Sequence, residues 1–176
     1  MPPNILPTSG NLLDADAQAL VNPVNCVGVM GKGLALQFKQ SFPQNYAAYR
    51  AACGRGEVQP GRMFVTETGA HAGPQFLINF PTKRDWRSAS RLDDIETGLT
   101  ALVAEVQARD IRSLALPALG CGLGVLEWEA VWPLIADAFA ALSDVRVLLF
   151  VPQELTPAVR PKSLFNPLVI EEGILK

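Results

Sequence analysis

Two glycine-rich stretches carry the chemistry most easily read from this sequence. Gly28-Val29-Met30-Gly31-Lys32-Gly33 lies between an apolar run and a helical pattern that begins near Leu34. Pro117-Ala118-Leu119-Gly120-Cys121-Gly122-Leu123-Gly124 stands in the same relation to a second apolar run and to a helix opening at Glu127. Glycine lets backbone N–H groups approach phosphate oxygens, and a helix start adds the positive end of its dipole. The spacing G-x-x-G-x-G is not the dinucleotide fingerprint, and no Walker A run is present. Either loop alone is accounted for as a tight turn. Two of them, each following a strand and leading into a helix, predict the walls of one crevice for a pyrophosphate-bearing nucleotide. The predicted contacts are Gly31, Lys32, Gly33 and Leu34 on one wall. On the other they are Pro117, Leu119, Gly120, Cys121, Gly122, Leu123 and Gly124.

Between the loops runs Lys83-Arg84-Asp85-Trp86-Arg87, with Arg91 following. Arginines grip phosphates and an aromatic ring stacks on an unpaired base, so Arg84, Trp86, Arg87 and Arg91 are candidate nucleic-acid contacts. The competing reading is a solvated approach to a helix with Trp86 packed on the domain. The net charge of −2 and pI of about 5.4 argue against indiscriminate nucleic-acid binding but leave room for a local basic patch. His71 is the only histidine, and Cys26, Cys53 and Cys121 form no C-x-x-C pair, so neither a zinc site nor a disulfide framework is expected. Cys26 and Cys121 border the loops with no histidine near in sequence, and packing is the expected role for both.

The elements that must position these residues follow from periodicity. Ile5-Leu6 reads as an edge strand and residues 19–25 as a buried strand. Residues 34–53 have a loose helical spacing that Pro43 divides into two helices. Residues 62–68 and 75–80 are β-rich runs around a Gly/Pro loop, a predicted hairpin. Leu92, Ile95, Leu99, Leu102, Val103 and Val106 share one face of a helix over 92–108, whose first turn carries Asp93, Asp94 and Glu96. Residues 114–116 form a short strand, residues 127–142 a helix in which Pro133 costs a hydrogen bond and favours a bend, and residues 145–151 a last strand. Trp128 and Trp132, four apart, are predicted to pack in the core. This order predicts an α/β fold, a three-layer α/β/α sandwich on a mixed central sheet, over residues 1–151. Prolines punctuate residues 152–176, which read as a tail or linker. With 49% hydrophobic residues and no apolar run long enough to span a bilayer, the expectation is a cytoplasmic protein with no membrane partner.

With Gly10-Asn11-Leu12-Leu13, Val21-Asn22-Pro23-Val24-Asn25, Gly31-Lys32-Gly33 and Leu116-Pro117-Ala118-Leu119-Gly120-Cys121-Gly122-Leu123-Gly124 in this order, the chain resembles a macrodomain over about residues 4–151. The run from Asn25 to Gly33, followed by Phe80-Pro81-Thr82-Lys83-Arg84-Asp85-Trp86, is similar to the DarG branch of that family. The resemblance implies an ADP-ribose-binding α/β/α sandwich that removes ADP-ribose from DNA bases, thymidine adducts foremost. It also implies an antitoxin role beside an ADP-ribosyltransferase toxin. At matching positions it implies that Asn11, where most macrodomains have Asp, offers a neutral acceptor to adenine, with Leu12 beside it. Asn25 contacts the distal ribose and Lys83 is catalytic. Terminal ADP-ribose glycohydrolases, more distant relatives, carry an Asp after the G-C-G-L stretch, where this chain has Gly124.

Cleaving a glycosidic bond ordinarily takes two flanking carboxylates, and none are paired in these loops. Thymine leaves tolerably once its ring nitrogen carries the charge, so strong acid assistance is unnecessary. Lys83 then has two available roles, amine attack at the opened anomeric carbon or proton shuttling. Neither requires a metal or a cofactor. The rival expectations are hydrolysis of ADP-ribose esters on protein, disfavoured by Gly124, and a non-catalytic ADP-ribose reader, disfavoured by Lys83.

Overall fold

Six short apolar runs become strands β1 (Ile5–Thr8), β2 (Ala19–Val24), β3 (Phe64–Glu67), β4 (Phe76–Pro81), β5 (Ser113–Pro117) and β6 (Arg146–Phe150). In the computed structural model, which describes residues 1–152 and Glu154, they form one sheet in the order β1-β6-β5-β2-β4-β3. Only β3 runs antiparallel, paired with β4 as the predicted hairpin, and His71 is exposed in the loop between them. The tail expected at 152–176 lies outside the described residues apart from Pro152 and Glu154.

Alternation along the strands makes the layers. Val21, Ile78, Leu114, Leu116, Val147 and Leu149 point to one face; Leu20, Leu77, Ala115 and Leu148 point to the other. The first face is covered by α3 (Leu92–Ala108) and α4 (Trp128–Ala140), the second by α1 (Gly33–Ser41) with α2 (Pro43–Gly54) beside it. The fold is therefore the predicted α/β sandwich. Pro43 opens α2 at its first position, where a fixed φ suits the helix and no N–H is needed. Along α3, Ile95, Leu99, Leu102 and Val106 are buried as their spacing predicts. The helix α4 continues through Pro133, and the rings of Trp128 and Trp132 lie 5.9 Å apart against the core.

One element escapes the sequence reading. Residues Leu12–Asp14 form a 3-10 turn capped by Asn11, whose side-chain oxygen accepts from the Leu13 N–H. Three residues are too few to show a period.

The parallel register sets what the fold presents. Val24 pairs with Pro81 at the ends of β2 and β4, and Leu20 pairs with Ala115 of β5. The loops after these three strands therefore leave the sheet on the same side.

Close packing of α3 on β4 leaves no space at Gly98, where an added Cβ would touch the Phe80 ring atoms Cζ and Cε1. Alanine normally gains about 1 kcal/mol over glycine within a helix. Overpacking a filled core costs about 1–3 kcal/mol, so here it wins. Gly98→Ala is expected to lower unfolding stability in urea by about 1 kcal/mol, opposite in sign to the helix-propensity effect.

Candidate functional site

The first glycine loop is folded around the Asn25 amide. Its Oδ1 accepts from the Val27 and Val29 N–H groups at 3.1 and 3.3 Å, and its Nδ2 donates to the Val29 carbonyl at 2.7 Å. The buried Tyr49 hydroxyl on α2 reaches both the Asn25 carbonyl (2.7 Å) and Oδ1 (2.9 Å). One Nδ2 hydrogen is left without a partner among the described residues. Met30 is buried, whereas Gly31, Lys32 and Gly33 are exposed at the start of α1, which no side chain caps. The free N–H groups of that first turn are open to an anion. Leu34 is half-buried against the core.

In the second loop, Pro117, Leu119 and Cys121 are buried, the last two within the core, so their available ligand contacts are through backbone. Gly122 and Leu123 are exposed, Leu123 at 63%. Gly124 admits no side chain at all: an added Cβ would strike Ser90 Oγ and the Gly120 carbonyl. Val125, a β-branched residue, is held at φ 58°, a strained backbone conformation.

The two loops meet. A Cβ placed on Gly33 would stand 3.8 Å from Leu123 Cδ1. Lys83, at the end of β4, donates from Nζ to the Leu123 carbonyl at 2.6 Å. Its own carbonyl accepts from the Cys26 thiol at 3.4 Å, and Cys26 N–H donates to the Arg84 carbonyl at 3.2 Å. The structure thus brings Asn25, Lys83 and both glycine loops to one place.

The other candidates are distributed around it. Arg84 forks onto the buried Asp94 in the first turn of α3, Nε to Oδ2 at 3.2 Å and Nη2 to Oδ1 at 3.1 Å. Its guanidinium is committed to holding the loop rather than projecting freely. Trp86 is 46% exposed with the Arg87 guanidinium 4.3 Å from its ring centroid, a cation–π stack. Arg91 is exposed just before α3 and forms no side-chain hydrogen bond or ion pair among the described residues. Asn11 is exposed, with its carbonyl oxygen already accepting from Leu13; the Leu12 side chain is buried.

Burial, with help from Cys53, pushes the Cys26 thiol up to about 11. Burial, reinforced by Glu127 and Glu129, does the same to Cys121. Both thiols are protonated at neutral pH and are poor nucleophiles. Among the described residues no group of three His, Cys, Asp or Glu is placed to hold a metal ion.

Sequence reasoning missed Tyr49, Asp94 and Ser90. Tyr49 looks like one more residue on a helix face, and only the fold shows its hydroxyl under Asn25. Burial drives that hydroxyl well above the ordinary phenol range, so it stays a donor at every working pH. Tyr49→Phe leaves the buried Asn25 carbonyl without this donor. The expected result is a loss of about 1–3 kcal/mol in urea unfolding, with faster amide exchange at Val27 and Val29. The raised thiols carry a second expectation. Alkylation of Cys26 and Cys121 in the folded protein should be slow at pH 7.5 and rise about tenfold per pH unit up to about 11.

Comparison with known proteins assigns this geometry to a family. The model of the Macro domain family matches residues 21–135. A DNA ADP-ribosyl glycohydrolase of Thermus aquaticus is 53% identical over 145 residues, 82% of this chain and 40% of the relative. The macrodomain of Mycobacterium tuberculosis DarG superposes with a TM-score of 0.83 at 51% identity, covering 84% of this chain and 97% of that one. Thermosipho africanus DarTG, solved in complex with ADP-ribose, gives a TM-score of 0.77 at 37% identity, covering 82% of this chain and 40% of that one. The chain thus spans about two fifths of the length of the curated relatives it matches. With a family match across residues 21–135 and half of the DarG macrodomains' residues shared over the same fold, the chain belongs to the macrodomain family, beside the DarG macrodomains.

Proposed function

We propose that this chain is a DNA ADP-ribosyl glycohydrolase unit, which hydrolyses the bond between ADP-ribose and a DNA base, thymidine adducts foremost. The observation that carries the reading is the Lys83 amine, held 2.6 Å from the Leu123 carbonyl at the junction of the two glycine loops. The naming of its relatives as DNA ADP-ribosyl glycohydrolases supports it, as does the Thermosipho africanus structure with ADP-ribose. Backbone amides at Gly31–Leu34 and at Gly120 and Gly122–Gly124 hold the diphosphate, the Cys121 N–H being spent on the Ala118 carbonyl, and Asn25 orients the distal ribose through its unspent N–H. Asn11 and Leu12 border the adenine side. Lys83 acts at the anomeric centre. The bond to the base nitrogen breaks, the base takes a proton, and water supplies the hydroxyl.

The strand carrying the adduct lies along residues 84–91. Trp86 offers a stacking face, Arg87 and Arg91 pair with phosphates, and Arg84 shapes the loop through Asp94. A single-stranded segment fits this arrangement better than a duplex, since the base must leave the stack. The partner in this reading is an ADP-ribosyltransferase toxin, the pairing that the fused transferase–glycohydrolase of Thermosipho africanus embodies. Residues 1–151 are then the macrodomain, residues 152–176 a linker or tail, and the place of action the cytoplasm, where bacterial DNA lies. Among the described residues no helix is long and apolar enough to cross a membrane. Hydrolysis of protein esters with help from an acid at position 124 is disfavoured, because Ser90 and Gly120 leave no room for one.

Lys83→Ala is expected to slow release of ADP-ribose from a modified single-stranded oligonucleotide by about 100-fold or more while free ADP-ribose still raises the melting temperature. Undiminished release by this variant removes the assignment. Borohydride added during turnover separates the two roles of the amine: a trapped adduct on Lys83 marks attack on the opened sugar, and its absence marks proton shuttling. Reversing both Arg87 and Arg91 to Glu should raise KM for the oligonucleotide and flatten its salt dependence, with free ADP-ribose binding unchanged.

A further inference from the structure

Ser90 lies in the small polar run Ser88-Ala89-Ser90, yet it is only 6% exposed. Its N–H donates to the Gly124 carbonyl at 3.0 Å. Its Cβ stands 3.2 Å from the point a Gly120 side chain would occupy, where Leu126 and Ile95 also close in. Its hydroxyl oxygen and the Gly120 carbonyl flank the same small space beside the Gly124 Cα. The Gly120 carbonyl already accepts from Leu126 N–H at 2.9 Å and has a second lone pair to offer. Among the described residues the Ser90 hydroxyl has no hydrogen-bond partner.

A buried hydroxyl without a partner is unfavourable and uncommon. It sits where the 83–91 loop touches the second glycine loop for the second time. Lys83 grips Leu123 at one end of the former, and Ser90 grips Gly124 at the other. Val125, the next residue, is the one held at a strained φ of 58°. An unsatisfied donor and a strained backbone side by side describe a loop held short of its most favourable arrangement. Such features persist where a bound state completes them.

We infer that Ser90 is a positioning residue for the reaction proposed above, on which this inference rests. When the diphosphate seats on the 120–124 loop, the Ser90 hydroxyl donates to the Gly120 carbonyl and locks the loop. The locked loop fixes the Leu123 carbonyl, and through it the Lys83 amine at the anomeric carbon. The hydroxyl is idle in the free protein and engaged in the complex.

Replacing it tests the idea, because the two states respond oppositely. Ser90→Ala and the nearly isosteric Ser90→Cys both keep the backbone bond to Gly124. Each should leave the melting temperature of the free protein unchanged or higher. On an ADP-ribosylated single-stranded oligonucleotide, kcat should fall about tenfold while KM changes less than about threefold, as expected when one hydrogen bond made only in the reacting complex is lost. Wild-type kcat in both variants overturns the inference, and so does a loss of kcat that merely tracks a lowered melting temperature. If the wild-type chain releases no ADP-ribose from DNA, the proposed activity itself fails, and free ADP-ribose becomes the probe. A smaller ligand-induced rise in melting temperature for Ser90→Ala than for wild type then supports the Ser90 lock, and an equal rise overturns it.

Discussion

The arrangement depends on the parallel pairing of β2 with both of its neighbours. Parallel strands send every following loop off the same end of the sheet, and Val24 opposite Pro81 puts the first two loops level. The third leaves β5, whose residue Ala115 lies opposite Leu20. Hydrophobic burial fixes this register, because a slip by one residue would turn Ala19 and Val21 toward the wrong helices. A sheet clad on both faces therefore specifies a polar site at its rim, with Leu119 and Cys121 tying the second loop into the core.

For the glycosidic cleavage proposed above, the groups at this rim are unusual. The buried acid behind the Lys83 loop, Asp94, is occupied by the Arg84 fork. That pair has a mechanical role: it pins the loop carrying Lys83 and Trp86 to the first turn of α3, where the helix dipole also favours Asp94. The amine is consequently held between two anchored segments, with β4 behind it and the Leu123 carbonyl ahead. In the proposed reaction the placement of the amine comes from these anchors. The Lys83 side chain alone, with four rotatable bonds, would not supply it.

Legibility in the sequence followed the physics of each feature. The stripe from Ile95 to Val106 and the break at Pro43 are local signals, and both give the right elements. The glycine loops are legible because closeness of backbone to a neighbour leaves a composition mark, as at Gly124. Side-chain partnerships across the fold leave none. Arg84 looks like a free cation because Asp94, ten residues on, reads as an ordinary helix-start acid. Tyr49 lies 24 residues from Asn25, and nothing in its neighbourhood announces the bond. Ser90, between Ala89 and Arg91, has the composition of a solvated loop and the burial of a core residue. The Asn11 cap is hidden for another reason: its turn is shorter than any period.

Stability and function pull in different directions within this rim. Asn25 Oδ1 accepts from the Val27 and Val29 N–H groups and Tyr49 donates to its carbonyl, so the first loop is closed by its own hydrogen bonds. The second loop differs, with Val125 strained, Leu123 and Val125 largely exposed, and the Ser90 hydroxyl idle. A chain selected for stability alone would place glycine or asparagine at position 125, where a positive φ suits them. A valine there, 69% exposed, gains little by burial to offset the strain. The departures from local preference, a strained valine and an idle buried hydroxyl, both fall on the second loop, which in the proposed reaction is the one the diphosphate seats on.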